Sequence, residues 1–485
     1  MRRTLSRTAA ALLALAALAG ACAQEAGQNP LSVEGDSEFE VNDDLDQQLD
    51  DEIVPETGLD GGDAPSSDEV VQAALADVGA FWEREYEDLY GADYEPIEGG
   101  FWPYGPESEQ PPCGRPRPSY SDIAQNAFYC PSDDLIAWDD VNLVPALYEE
   151  FGGFTLGIVF AHEFGHAMQF RADVVGDTIM TELQADCFAG AWTADVAEGN
   201  AEYFELEIDD LDKAIAGFLA LRDGVGTDAA DPAAHGTGFD RIGAFSEGFE
   251  NGLARCADYP DLYDAGELVI VEVPFTSEDD FARGGDLPLQ EAIDLALGDL
   301  EDFWTVLFTE MGETWTPVSG TVPIDPDVDE VACGGETYTG DILVNASFYC
   351  TDDDTIYLDA VNLVPALYEV GDYAVATELA RQYAYAAQVR LGNFDNTTET
   401  NLQADCFAGI YASSGFLVNR ENQQLVLSPG DLDEAVIAFL LTSDSSADVD
   451  ADDVSVGTAF RRFDAYRSGF VGGLPACEAI LGTAG

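Results

Sequence analysis

Residues 141–149 and 361–369 both read VNLVPALYE, and LQADCFAG stands at 183–190 and again at 402–409. FYC ends at Cys130 and at Cys350, FW occupies 81–82 and 303–304, and the offset between partners stays between 219 and 222. So long and steady an offset means repetition of a whole domain, because a solenoid needs several short repeats. The 485 residues are therefore expected to form two α+β domains, 69–258 and 286–482, joined by a loop segment over 259–285. Within each copy the pattern reads helix, sheet, helices. Helical periodicity covers 69–90 and 288–310, and NAFYCPSDDLIAWD reads as a hairpin turning at SDD. An apolar helix follows over about 154–172, then another over 178–196. The copy closes with DLDKAIAGFLALRD and FDRIGAFSEGFENGL, both amphipathic.

Eight of the nine cysteines fall into the same register: Cys113, Cys130, Cys187 and Cys256, then Cys333, Cys350, Cys406 and Cys477. In an exported chain that arithmetic favours two disulfides per domain over metal binding. The preferred pairing is Cys113–Cys130 with Cys187–Cys256, and Cys333–Cys350 with Cys406–Cys477, although spacing leaves other connectivities open.

Two of the three histidines lie in FAHEFGHAMQFR, residues 160–171. His162 and His166, four apart on a helix, leave one face a turn apart and can reach one zinc ion, with Glu163 beside them as general base. The pair needs a third ligand, and Glu182 and Asp186, four apart on the next helix, are the candidates. The second copy separates them. There His162 becomes Arg381, Glu163 becomes Gln382, His166 becomes Tyr385 and Glu182 becomes Asn401, while Asp186 persists as Asp405. Co-loss marks Glu182 as the ligand and leaves Asp186 to orient a histidine from behind. Arg381 is then expected to pair with Asp405, since a carboxylate facing a lost histidine needs a new partner. Gln169 and Arg171 persist as Gln388 and Arg390 and read as scaffold. His235 becomes Val456, so it too is assigned to the site, as an oxyanion stabiliser or a further ligand. Arg241, retained as Arg462, reads as a structural ion pair.

FYCP, AHEFGHAMQ, ELQADCFAGAW and HGTGFDRIGAFSEGF, in that order, resemble the neutral zinc metallopeptidase family of bacteria over most of residues 81–256. The resemblance implies a zincin-like fold with His162, His166 and Glu182 on zinc and Glu163 as base. The expected function is a zinc endopeptidase with one Zn²⁺ per chain, in the first domain only, acting on a peptide or protein substrate. A zinc amidase acting on cell-wall amides and a non-catalytic binding lipoprotein are the alternatives. Removing residues 286–485 is expected to leave the site's chemistry intact.

The N-terminus, MRRTLSRTAAALLALAALAGAC, has three arginines, a short apolar stretch and small residues before Cys22. It reads as a lipoprotein-type signal peptide over 1–21, with Cys22 lipidated and residues 22–68 forming an acidic disordered tether. The expectation is an exported lipoprotein held on the membrane, facing the exterior. With 95 Asp and Glu against 18 Lys and Arg, the formal charge is −77. Such a surface repels phosphate backbones, which excludes nucleic acid as a partner, and it resembles the proteins of halophilic organisms.

Overall fold

The computed structural model describes residues 65–207, 209–227, 235–394, 397–442 and 458–482. Residues 1–64, which include the expected signal peptide, Cys22 and nearly all of the tether, lie outside the described residues.

The chain is mostly helical α+β, with small sheets. Helix α1 spans Ser67–Tyr90, two residues before the expected start. The cause is a capping box: Ser66 Oγ accepts from the Glu69 amide while the Glu69 carboxylate accepts from Ser66 N, satisfying two amides that a frayed end would leave open. Strand β1 (Gly100–Tyr104), α2 (Tyr120–Ile123), β2 (Ala127–Cys130) and β3 (Leu135–Asp139) come next. The expected hairpin forms, with Cys130 opposite Leu135 in an antiparallel pair, and β1 lies parallel to the other edge of β3. That leaves β2 as a sheet edge.

The helices after the sheet carry the candidate site: α3 (Val144–Phe151), α4 (Gly153–Arg171), α5 (Thr178–Ala197), α6 (Asp210–Ala220) and α7 (Gly238–Ala257, kinked at Gly252). Helices α4 and α5 are apolar nearly all round because both run through the core. Helix α5 packs tightly on α7 because position 190 has no side chain: a Cβ there would lie 1.9 Å from the Phe245 carbonyl oxygen. The Cys187–Cys256 bridge ties the same two helices together.

The expected loop over 259–285 contains two short helices, α8 (Tyr259–Ala265) and α9 (Glu278–Ala282). It is anchored midway, since the Val271 amide donates to the Asp240 carboxylate on α7. The remaining elements keep the order of the first set: α10 (Leu289–Met311), β4 (Gly320–Ile324), β5 (Glu330–Cys333), β6 (Glu336–Thr339), β7 (Ser347–Cys350), β8 (Thr355–Asp359), α11 (Leu363–Val370), α12 (Asp372–Leu391), α13 (Thr398–Leu417), α14 (Asp431–Thr442) and α15 (Thr458–Gly482). The departures are a 3-10 turn, Gly340–Ile342, where the first set has α2, and the added hairpin β5–β6, which nothing in the periodicity marks. All four disulfides close in the preferred pairing, at S–S distances of 2.01 to 2.08 Å.

The two halves share one apolar core. Phe239 of α7 meets Phe463 and Phe470 of α15 at 5.7 and 5.1 Å between ring centroids, and Phe249 meets Phe460 at 5.6 Å. Among the described residues no helix is long and apolar enough to cross a membrane.

A second feature separates the halves electrostatically. Lys213, the only lysine, places its ammonium 2.9 Å from Asp209 and 3.5 Å from Asp210. Its counterpart is Glu434, which instead joins Asp286 and Asp372, with all three carboxylates within 4.8 Å of one another. Burial first, and neighbouring carboxylates second, push Asp372 up to about 6 and Glu434 well above the usual range. A carboxyl whose folded pKa is raised contributes its stability below its ordinary value of about 3.9 and loses it as pH rises through the folded value. The melting temperature should therefore fall between pH 4 and pH 7. Glu434→Gln keeps an oxygen for the Tyr373 amide, which donates to Glu434 Oε2 at 2.8 Å. It should flatten that fall by a degree or so, 1 kcal/mol being worth about 2–4 °C at 150–250 residues and less in a larger body that melts as one. Calorimetry across the pH range checks this, and an unchanged slope would count against the shared-proton cluster.

Candidate metal centre

His162 and His166 stand on α4 and Glu182 and Asp186 on α5, so the distance between these helices sets the site. Gly165 eases their approach. A Cβ there would lie 3.0 Å from the Ala185 Cα, so the neighbouring helix would have to give by a few tenths of an ångström at the level of the ligands. Its counterpart in the other half is Ala384.

Each histidine is oriented by a partner on Nδ1. His162 Nδ1 lies 2.7 Å from Asp186 Oδ1, and His166 Nδ1 lies 2.9 Å from Gln169 Oε1. Gln169 points its oxygen at the ring because its amide group donates to the Thr181 carbonyl at 2.6 Å. Both partners are acceptors, so both imidazoles carry their proton on Nδ1 and present an Nε2 lone pair. The two Nε2 atoms are 3.0 Å apart, and Glu182 completes the group with oxygens 3.3 and 3.4 Å from them. Lone pairs so close need a cation between them. Glu182 Oε2, buried and without a hydrogen bond, points to the same conclusion. The separations match the edge of about 3.3 Å expected between donors of a tetrahedral ion bound at 2.0–2.1 Å. The residues present therefore fit zinc.

Burial acts to lower His162, but Asp186 and Glu182 overcome it and raise the imidazole to about 10. Burial acts to raise Glu182, yet the two histidines hold it well below the usual carboxylate range. Glu163 is raised by burial and accepts a hydrogen bond from the Tyr129 amide of edge strand β2 at 2.8 Å. Asp186, fully buried, also takes a two-pronged contact from Arg241, Nε at 2.8 Å and Nη2 at 2.9 Å.

His235 lines the same cavity, of about 440 Å³, with His162, Glu163, His166 and Glu182. It does not join the three-residue group whose donor atoms converge. Asp223 holds it, accepting from the His235 amide at 2.7 Å and from Gly236 N at 2.8 Å, and lying 3.3 Å from Nδ1. Much of the remaining wall is apolar, with Leu143, Leu147, Ile158, Val159, Phe218 and Leu221, while Asn126, Thr155, Thr181 and Arg241 add polar groups.

Three of these residues escape a reading of the sequence alone. Gln169 reads as scaffold because it persists as Gln388, but it serves both purposes: Gln388 keeps the backbone bridge, donating to the Thr400 carbonyl at 2.8 Å. Asp223 is one acid among 95 acidic residues with no motif around it, and Tyr129 contributes only a backbone amide.

The matching positions in the other half hold no such group. Arg381 Nε lies 2.8 Å from Asp405 Oδ1, as expected, and Arg462 reaches the other side of Asp405. Tyr385 donates to Asn401 Oδ1 at 2.9 Å, and Gln382 donates to Glu378 at 2.8 Å. Arg171 and Arg390 hold Asp134 and Asp354 at 3.0 and 2.9 Å, as scaffold.

The chain matches the family model described as "Putative neutral zinc metallopeptidase" over residues 170–259 and 280–480, more than half its length. The match begins after His166 and takes in Glu182, Asp186 and His235. Among curated proteins it is similar to the uncharacterized protein YpfJ of Escherichia coli K12, 29% identical over 37% of this chain and 67% of the relative. It is also similar to the uncharacterized protein Rv2575 of Mycobacterium tuberculosis H37Rv, 29% identical over 32% of this chain and 60% of the relative. No solved structure matches.

Proposed function

Because this chain belongs to the putative neutral zinc metallopeptidase family, we propose that it is a zinc-dependent endopeptidase. We propose further that it is a tandem duplication, in which only residues 69–258 keep the site and residues 286–482 form a degenerate copy. The observation that carries the reading is the convergence of two Nε2 lone pairs and an unpartnered Glu182 oxygen in a cavity that also holds a buried glutamate.

Zinc bound by His162, His166 and Glu182 would supply Lewis acidity, drawing electron density from the attacking water and the scissile carbonyl. Asp186 and Gln169 keep the two rings turned with their lone pairs inward. Glu163 takes the proton of the attacking water and returns it to the leaving amine nitrogen. The Tyr129 amide occupies one of its oxygens, which leaves the other for the proton. His235 stabilises the charge that develops on the carbonyl oxygen. The apolar wall excludes water and takes a side chain of the substrate. In this reading the protein works outside the cell, tethered by residues 22–68 to a lipid on Cys22.

Digestion of a peptide library by the full chain, with and without chelator, tests the proposal. Chelator-sensitive cuts within peptides are expected. No cuts by a zinc-loaded chain would overturn the reading, and release of cell-wall amides in their place would move it to an amidase. Elemental analysis should find close to one zinc per chain, because Arg381, Tyr385 and Asn401 are engaged with Asp405 and with each other. A second tightly held ion that persists in Glu434→Gln, and so does not sit on the Asp286, Asp372 and Glu434 carboxylates, would contradict a degenerate second copy.

A further inference from the structure

We infer that Asp433, in the second half, is a positioning residue for the site in the first. It stands on α14, and each of its oxygens holds a different part of the first half. Oδ1 accepts from the Phe239 amide at the start of α7, at 2.8 Å. Oδ2 pairs with Arg222 Nε at 2.9 Å. Arg222 adjoins Asp223, the residue that holds His235 and Gly236. Two residues beyond Phe239, Arg241 clamps Asp186 behind His162. A single carboxylate thus ties both described ends of the stretch that carries His235, one beside its anchor and one at the helix it leads into.

The molecule contains its own control. Asp433 and Asp212 are counterparts at the 221-residue offset seen between Cys256 and Cys477. Asp212 of α6 does for α15 what Asp433 does for α7, accepting from Ala459 N at 3.1 Å and Phe460 N at 2.9 Å. The two interactions are alike as helix caps across the shared core, each satisfying amides that a helix start leaves open. They differ in the residues they support: α15 leads through Arg462 to Asp405 and Arg381, with no histidine and no metal group. A purely structural cap would make the two aspartates equivalent, whereas a positioning role makes only Asp433 matter to the site. The degenerate half is on this account a working part of the active one, held on by its own helix α14.

The inference rests on the peptidase reading only for its kinetic arm. The full chain has three histidines, so its ¹⁵N-labelled, zinc-loaded form has three imidazole spectra, and His235 can be followed without any substrate. Asp433→Ala should shift and broaden the His235 signals, with a smaller shift at His162 through Arg241 and Asp186, while His166 and the zinc content stay unchanged. Turnover should fall about 10- to 100-fold with KM little altered, the scale of a reacting group displaced by up to 1 Å. Asp212→Ala should lower thermal stability comparably yet leave the His235 signals alone and kcat within about twofold. Should Asp433→Ala fail to fold, Asp433→Asn keeps an oxygen for the Phe239 amide, removes the charge facing Arg222, and is judged by the same criteria. An unmoved His235 spectrum in the Asp433 variant, or equal disturbance by the Asp212 variant, would overturn the inference. Loss of peptide cleavage in the unmodified chain with the spectral difference intact would reject the peptidase reading alone.

Discussion

Glu163→Gln is expected to leave zinc bound and to slow peptide hydrolysis by about 10²- to 10⁴-fold, the usual contribution of a positioned base. The substitution changes basicity and little else. Glu163, on α4, is buried against the sheet edge, and the variant amide still offers an oxygen to the Tyr129 N–H. The fold accommodates the glutamine shape, since Gln382 occupies the corresponding place in the other half, fully buried and hydrogen-bonded to Glu378 and, at 3.4 Å, to the Ser347 carbonyl. Misfolding is therefore a weak explanation for lost turnover. Zinc analysis and steady-state kinetics on the same preparation check the result, and activity above a few per cent of the original would remove Glu163 from the role of base.

His235→Val should cost about 100- to 1000-fold in turnover with zinc content unchanged, as for loss of one donor to a developing oxyanion. The structure narrows the alternatives left open by the sequence. His235 shares the cavity but is not one of the residues whose donor atoms converge, which speaks for contact with substrate. Asp223 binds the backbone of residues 235 and 236, so its grip on the segment survives removal of the ring. Zinc titration with competing chelator separates the cases: weaker zinc binding would make His235 a ligand, and unchanged kinetics would make it structural.

How much of the site is legible in the sequence depends on whether a residue has one task or two. His162, His166, Glu163 and Glu182 line the cavity and are matched by different residues in the second half, so they stand out by subtraction. Asp186 and Gln169 also hold the scaffold, the first through Arg241 and the second through the Thr181 carbonyl, so both persist and comparison hides half of what they do. The hairpin and the long helices are legible through strong periodicity. Strand β1 is not, because it pairs through backbone with a distant strand, and neither is the α1 start, because the Ser66–Glu69 box precedes the apolar pattern. Contacts between halves, Asp433 above all, have no local signature.

The shared core also changes what counts as the smallest working piece. Residues 69–258 look like a complete unit in sequence, which is why a fragment ending there is expected to keep its chemistry. In the folded chain that fragment would expose Phe239, Phe245 and Phe249, which now pack on Phe460, Phe463 and Phe470. A row of bare aromatics on a helix associates with whatever apolar surface it meets. None of the four disulfides crosses between the halves. Their union rests on noncovalent packing plus one strand of backbone, and heating should melt both halves together as a single cooperative body. A protease that nicks the 259–285 segment would cut the chain without dividing the molecule.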